Sequence, residues 1–195
     1  MAERFDLSHI QEYLARMNLS IAHIEREQQT LELAFQHRYK QWRMIVSIQQ
    51  VGNARKLLLL APHIATVTAT RRMECLEALL AINYRIALGK FGLDLEDGEI
   101  RLEETIPLAD YELSFAQFQL AVGAIIQTVS MYYNLLPRIQ HSHISVEEAI
   151  QECERDFFQS APLANVNAEV AEISTEHEHQ EEPELDVEDV LAEVA

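Results

Sequence analysis

Two His-x-His pairs, His141/His143 and His177/His179, place imidazoles two positions apart, a spacing that on an extended segment can chelate a divalent metal. Neither pair has a cysteine or a second histidine pair in the same ordered element, so adventitious binding on surface loops is the expectation and no metal site is assigned. Cys75 and Cys153 fall outside any Cys-x-x-Cys or Cys/His ligand spacing, as in a cytosolic chain with reduced thiols, and no bridge between them is expected. Cys75 lies beside the core face of a helix and reads as an inert buried thiol. The carboxylate pairs Glu103/Glu104 and Glu147/Glu148 are adjacent in sequence and so point different ways, a poor arrangement for paired acid and base work. His23 and His37 read as strand or turn residues, and His63, beside Pro62, as a buried structural one. No GxGxxG, GxxxxGK or GxSxG motif occurs, and five glycines in the whole chain leave little for phosphate-cradling loops. No catalytic residue and no cofactor is expected, and the chain reads as a non-enzyme.

One cluster of charge has a positive reading. Arg71 and Arg72 open a helix, where cations oppose the macrodipole, and with Arg55, Lys56 and Arg85 they could form a basic patch. Such a patch is either a solvated polar face or a receptor for an acidic peptide, from this chain or from a partner. The whole chain is strongly acidic, with 32 Asp plus Glu against 15 Lys plus Arg and a formal net charge of −17. That disfavours nucleic acid and anionic membrane surfaces, whose binding rests on neutralising phosphates. No uninterrupted apolar stretch approaches the roughly 18 residues of a membrane span, and the start, MAERFDLSHI, has no apolar h-region. A cytoplasmic location follows as the expectation.

The elements that must position these residues are legible from periodicity. With 48% of its residues hydrophobic, the chain can bury a core without metal or disulfide staples. Ile10, Tyr13, Leu14 and Met17 mark an opening helix that Asn18 ends. From Leu19 the period becomes two. Leu31, Leu33 and Phe35, then Trp42, Met44, Val46 and Ile48, alternate with more polar neighbours, which predicts strands with one buried face. Turns at Gln28-Gln29, His37 to Lys40 and Gly52-Asn53 complete a meander of about four strands, closing in the apolar run Leu57 to Ala61, a central strand that Pro62 is expected to end. Thr70 should cap a helix through to Gly89 as the C′ residue, with Leu76, Leu79, Leu80, Asn83 and Ile86 inside. Asp97-Gly98 between alternating runs predicts a hairpin. Ser114 and Gln117 form a capping box for a long helix with inner residues Phe118, Val122, Ile125, Ile126, Val129, Tyr133 and Leu136, stopped by Pro137. Ser145 and Glu148 cap a last helix. The fold class is α+β, an antiparallel sheet (four-strand meander plus Asp-Gly hairpin) packed by helices.

Charge places the domain boundary near Ser160. Residues 1–160 hold 21 acids and 15 bases, whereas residues 161–195 hold eleven acids, no base and no aromatic residue, a composition expected to stay mostly disordered. At its end Val187, Val190, Leu191 and Val194 recur at i, i+3, i+4 and i+7 behind Asp186. That predicts either a chance apolar face in a solvating tail or a short amphipathic helix over 186–194 that forms only on docking.

The order of elements, together with the stretches FQHRYKQWRMIVSI, LEALLAINYRIALGKFGLDLEDGEIRLEETIPL and LSFAQFQLAVGAIIQTVSMYYNLL, resembles the YbjN family over roughly residues 5 to 150. Asn83, the Gly89-Lys90-Phe91 step, the Asp97-Gly98 turn and the Tyr132-Tyr133 pair carry the likeness; the acidic tail stands outside it. The resemblance implies a fold similar to the type III secretion chaperone fold and a bacterial role in sensory transduction or stress response, without an enzyme activity or catalytic residues to carry over. Two function classes remain open. One is an adaptor or chaperone-like regulator that binds a protein client, and forms a homodimer, through apolar residues beside the long helix's buried stripe, Met131, Tyr132 and Leu135. The other is a small-ligand sensor or unrecognised enzyme with an apolar pocket. Direct DNA regulation ranks third, since no recognition-helix motif joins a basic surface.

Overall fold

Alternating side chains sort the strands into one sheet with one fully buried face. The computed structural model describes residues 5–37, 40–108 and 113–159. Strands β1 (Ile21–Glu25), β2 (Thr30–His37), β3 (Lys40–Val51) and β4 (Ala54–Thr66) form the meander, and the hairpin of β5 (Lys90–Leu93) and β6 (Glu99–Leu108) adds to it. The six strands are antiparallel in the order β1-β2-β3-β4-β6-β5, so β4 is central and β1 and β5 are the edges. Cross-strand partners Leu31↔Val46, Leu33↔Met44, Ile48↔Leu57 and Ala61↔Leu102 share the inner face, and all are buried. Their neighbours Glu32, Ile45, Leu58 and Leu60, on the opposite face, are only half-buried. The period-two reading holds along β2 and β3 with two departures: Phe35 is half-buried and Ser47 is buried.

Helices cover the inner face. Between α1 (Leu7–Arg16) and β1 lies Asn18 in the left-handed conformation, as its place after the last apolar residue predicts. At the other end Asp6 forms a capping box with His9, and the Ser8 hydroxyl and these amides hold the Asp6 carboxyl down at about 2. Tyr13 donates its hydroxyl to the Leu113 carbonyl at 3.0 Å, which ties α1 to the start of α3 (Phe115–Tyr132). The Ser114/Gln117 and Ser145/Glu148 capping boxes are both formed, the second opening α5 (Val146–Phe158). No helix among the described residues is long and apolar enough to cross a membrane.

Six local expectations are overturned. Pro62 does not end β4. It sits inside the strand, where the register with β6 shifts between Ala61 and Ala65 and His63 takes a positive φ of 51°. A bulge of this kind accepts a residue that cannot donate to the ladder. The bulge also turns His63 outward, exposed and 3.2 Å from Glu99 instead of buried. Pro137 does not stop the long helix, which ends at Tyr132; the proline lies in the first turn of a further short helix, α4 (Leu135–His141). There its missing N–H costs nothing, because first-turn amides have no partner within the helix.

The remaining three corrections concern α2 (Arg72–Arg85). Its N-cap is Arg71 in a left-handed conformation, not Thr70, and it ends at Ile86, so that Gly89 (φ +76°) belongs to the entry of β5 rather than to the helix cap. A Cβ on Gly89 would stand 2.7 Å from Ile125 Cδ1 of α3. The buried face of α2 is Cys75, Ala78, Leu79 and Ile82, and Leu80 faces out. Asn83 fixes the far end by accepting from the Phe91 N–H (2.7 Å) and donating to the Phe91 carbonyl (3.0 Å). Asn83→Asp keeps the acceptor and sets a carboxylate beside a carbonyl. Urea unfolding of that variant should show a loss of about 1–3 kcal/mol; a change within about 0.5 kcal/mol, the usual span of a surface substitution, would assign the pair no role.

Candidate protein-docking surface

Helix α2 is anchored on its inner side and carries three large apolar side chains on its outer side, with Glu77 exposed among them. Met73, Leu80 and Tyr84 are 73%, 70% and 93% exposed, and they recur at i, i+7 and i+11. At 100° per residue they form one straight ridge about 16 Å long. An isolated exposed leucine needs no explanation, but three large apolar side chains in line on one helix do.

The ridge is held in place by polar contacts at both ends of the helix. At the start, the Arg71 guanidinium donates to the carbonyls of Ile139 (2.9 Å), Ser142 (2.6 Å) and Ile144 (3.1 Å) and pairs with Glu74 at 3.2 Å. Those carbonyls belong to the last turn of α4 and the segment leading to α5, where helix geometry leaves acceptors without backbone donors. Arg71 thus offsets its unfavourable place at a helix N-terminus by closing the end of another helix. At the far end Arg85 donates to Glu154 of α5 at 3.0 Å, and the Tyr132 hydroxyl donates to the same oxygen at 2.9 Å. Burial pushes the Tyr132 hydroxyl well above the usual phenol range, so it stays a donor. Since the start of α2 touches the segment before α5 and its end touches Glu154, the two helices run side by side in the same direction.

The five basic residues read as a patch do not come together. Arg55 and Lys56 stand at the first rungs of the β4 ladder, and Arg55 donates to the Phe5 carbonyl at 2.7 Å. The opposite end of β4, at Thr66, accepts from Gln140 of α4, close to the carbonyls that Arg71 holds. Eleven strand residues at ~3.3 Å each separate the two ends by more than 30 Å. Arg71 is consumed by its three carbonyls and Arg85 by Glu154, whereas Arg72 has no ion pair among the described residues. The proposed interface at Met131, Tyr132 and Leu135 is likewise corrected: Tyr132 and Leu135 are 8% and 1% exposed and Met131 is half-buried. Helices α4 and α5 pack over that end of α3, so nearly every side of it faces protein. His141 ends α4 and His143 follows it, both exposed, and no cluster of metal-ligating side chains occurs among the described residues. His177/His179 and the motif Val187, Val190, Leu191 and Val194 lie outside the described residues.

Two concave features bear on ligands and catalysis. Between α3, α4 and α5, Arg138 bridges Glu152 and Asp156, and beside it Ser130 Oγ and Arg138 Nε are buried without a hydrogen-bond partner among the described residues. The cavity there is ≈ 10 Å³, room for about one water. Burial pushes the Cys153 thiol that lines it up to about 11 and raises Cys75 as well, which leaves both as unreactive thiols. The second feature is an open groove of ≈ 400 Å³ where β3 and β4 part beyond the Ile45↔Leu60 pair. Phe35 and Trp42 stack there with ring centroids 4.3 Å apart, and Gln36, Gln41, Arg43, Pro62 and His63 rim them.

The family model for YbjN, described as "Putative bacterial sensory transduction regulator", matches residues 6–138. No curated protein matches the chain. Among solved structures, the chain is similar to one described as "YbjN, a putative transcription regulator from E. coli", at 18% identity and a TM-score of 0.50, over 70% of this chain and 93% of that one. At that identity the likeness speaks for the fold. The family match runs from the Asp6 cap of α1 through the sheet, the α2 ridge, the Asp97-Gly98 hairpin and α3 to Arg138 in α4, and on that evidence the chain belongs to the YbjN family.

Proposed function

We propose that the chain is a non-enzymatic regulator that works by protein contact, and that its docking surface is the outer ridge of α2. The observation that carries this reading is the alignment of Met73, Leu80 and Tyr84 on a helix whose other side is locked into the core. A rigid convex apolar ridge suits the apolar face of an amphipathic helix from a partner protein, which buries the same i, i+3/i+4, i+7 spacing. Arg72, which has no ion pair among the described residues, stands beside the ridge, so an acidic residue flanking the partner's apolar stripe is favoured. The regulator description of the family agrees with contact rather than turnover.

A photo-cross-linking side chain placed at Tyr84 in the full chain, in its native cell, tests the reading. One defined partner should cross-link there and not from Thr105 on the far sheet face, and Leu80→Asp should abolish the adduct. Equal labelling from both positions would reject the α2 surface.

A second reading, ligand sensing, is favoured by the stacked Phe35–Trp42 floor of the open groove. Trp42 is the chain's one tryptophan, so its fluorescence reports directly on that groove. A saturable change with a small molecule, lost in Phe35→Ala, would support sensing there.

A further inference from the structure

We propose that in the free protein the α2 ridge is covered by the chain's own C-terminal segment, with Val187, Val190, Leu191 and Val194 packed against Met73, Leu80 and Tyr84, so that the tail regulates access to the ridge. The inference rests on the ridge being the docking surface.

Three observations point to this occupant. First, α2 and α5 run in the same direction, and α5 ends at Phe158, one turn past the Glu154 that holds Arg85. The last described residue, Gln159, therefore stands at the same end of the α2/α5 pair as Tyr84, and Phe158 beside it is 67% exposed. Second, the length suffices. Residues 160–186 can span up to about 90 Å, against a ridge of about 16 Å that begins near their origin. Third, the two patterns match. Val187 and Val194 are seven positions apart, as are Met73 and Leu80, a separation of about 10 Å along each helix. A segment too short to be helical in water gains its helix on such a surface. Charge agrees at one point: the segment's apolar residues are set among Asp186, Glu188, Asp189 and Glu193, and Arg72, which has no ion pair among the described residues, flanks the ridge. Glu77, exposed between Met73 and Leu80, opposes those acids.

The test uses the full chain with Ala192→Cys carrying a nitroxide; Cys75 and Cys153 are buried and stay unlabelled. The Met73 and Leu80 methyl signals should lose most of their intensity, and those of Ile24 in the distant edge strand should not. The loss should persist on dilution and vanish in Val190→Asp/Leu191→Asp. If α2 signals keep full intensity, the proposal falls. If labelled chains bleach the α2 signals of unlabelled chains mixed with them, and the loss fades on dilution, the tail docks on a second copy and the intramolecular proposal is overturned. With the partner captured at Tyr84, Val190→Asp/Leu191→Asp should raise affinity by about 5-fold or more. Tail signals that never touch α2, alongside partner binding lost in Leu80→Asp, would reject the tail's role and leave the docking surface intact.

Discussion

Arg71→Ala should unfold at markedly lower denaturant than the parent chain, by about 2–4 kcal/mol, because one substitution strips donors from three carbonyls at once. The charged fork closes α4 and the turn into α5, and it also holds the start of α2, so the loss reaches three helices. In thermal terms the midpoint should fall by roughly 5–15 °C for a domain of this size. Arg71→Lys should recover little, since an ammonium is a single point and cannot span carbonyls of Ile139, Ser142 and Ile144 together. Circular dichroism melts of the three proteins decide the matter; an alanine variant as stable as the parent would mean the fork is dispensable.

Gly98→Ala is the second large effect. Gly98 turns the β5–β6 hairpin at φ +79°, and a Cβ there would stand 2.5 Å from the Val67 carbonyl oxygen, a backbone atom that cannot rotate away. The same glycine accepts the Val67 N–H at 2.8 Å and donates to the Asp94 carbonyl at 3.0 Å, so shifting it breaks two bonds. Left-handed strain and the clash together should cost about 2–4 kcal/mol. Gly52 is the control. Its φ is +59° and nothing lies within 4 Å of the point where a Cβ would stand, so Gly52→Ala should cost only the strain, about 1–2 kcal/mol. Equal losses at the two sites in urea titrations would show that contact with Val67 adds nothing.

Much of the fold is legible in the sequence because its determinants are local. Strand faces follow from alternation between Leu31 and Ile48, and three helix starts or stops from Asn18, Ser114 and Ser145, each of which satisfies a backbone group a few positions away. What the sequence hides depends on distant partners. Pro62 looks like a strand end until β6 is seen to slip past it in a bulge. Pro137 looks like a helix stop unless Tyr132 has already ended the helix and a new one starts. Arg71 stands out for its unfavourable position, yet its acceptors lie about seventy residues further on, beyond any local pattern.

The docking surface is hidden by the same ambiguity. The α2 sequence offers two apolar stripes, and periodicity alone puts Leu80 in the buried one; the small side chains of Cys75 and Ala78 in fact mark the inner side, where α2 comes close to its neighbours. A helix apolar on both sides reads as buried. Only the packing shows that one stripe has no cover among the described residues. The basic patch fails for a related reason: adjacency in sequence at Arg55-Lys56 and Arg71-Arg72 says nothing about the length of strand between them.

The most direct test of the account is the affinity of the partner captured at Tyr84 for the full chain and for Leu80→Asp, with thermal midpoints measured on both. Leu80 touches solvent, so the account predicts a midpoint shifted by no more than about a degree or two and an affinity at least about tenfold weaker, as for an apolar anchor lost from an interface. Unchanged affinity in Leu80→Asp, with binding abolished instead by Phe35→Ala in the sheet groove, would contradict it and move the docking surface to the stacked Phe35–Trp42 pair.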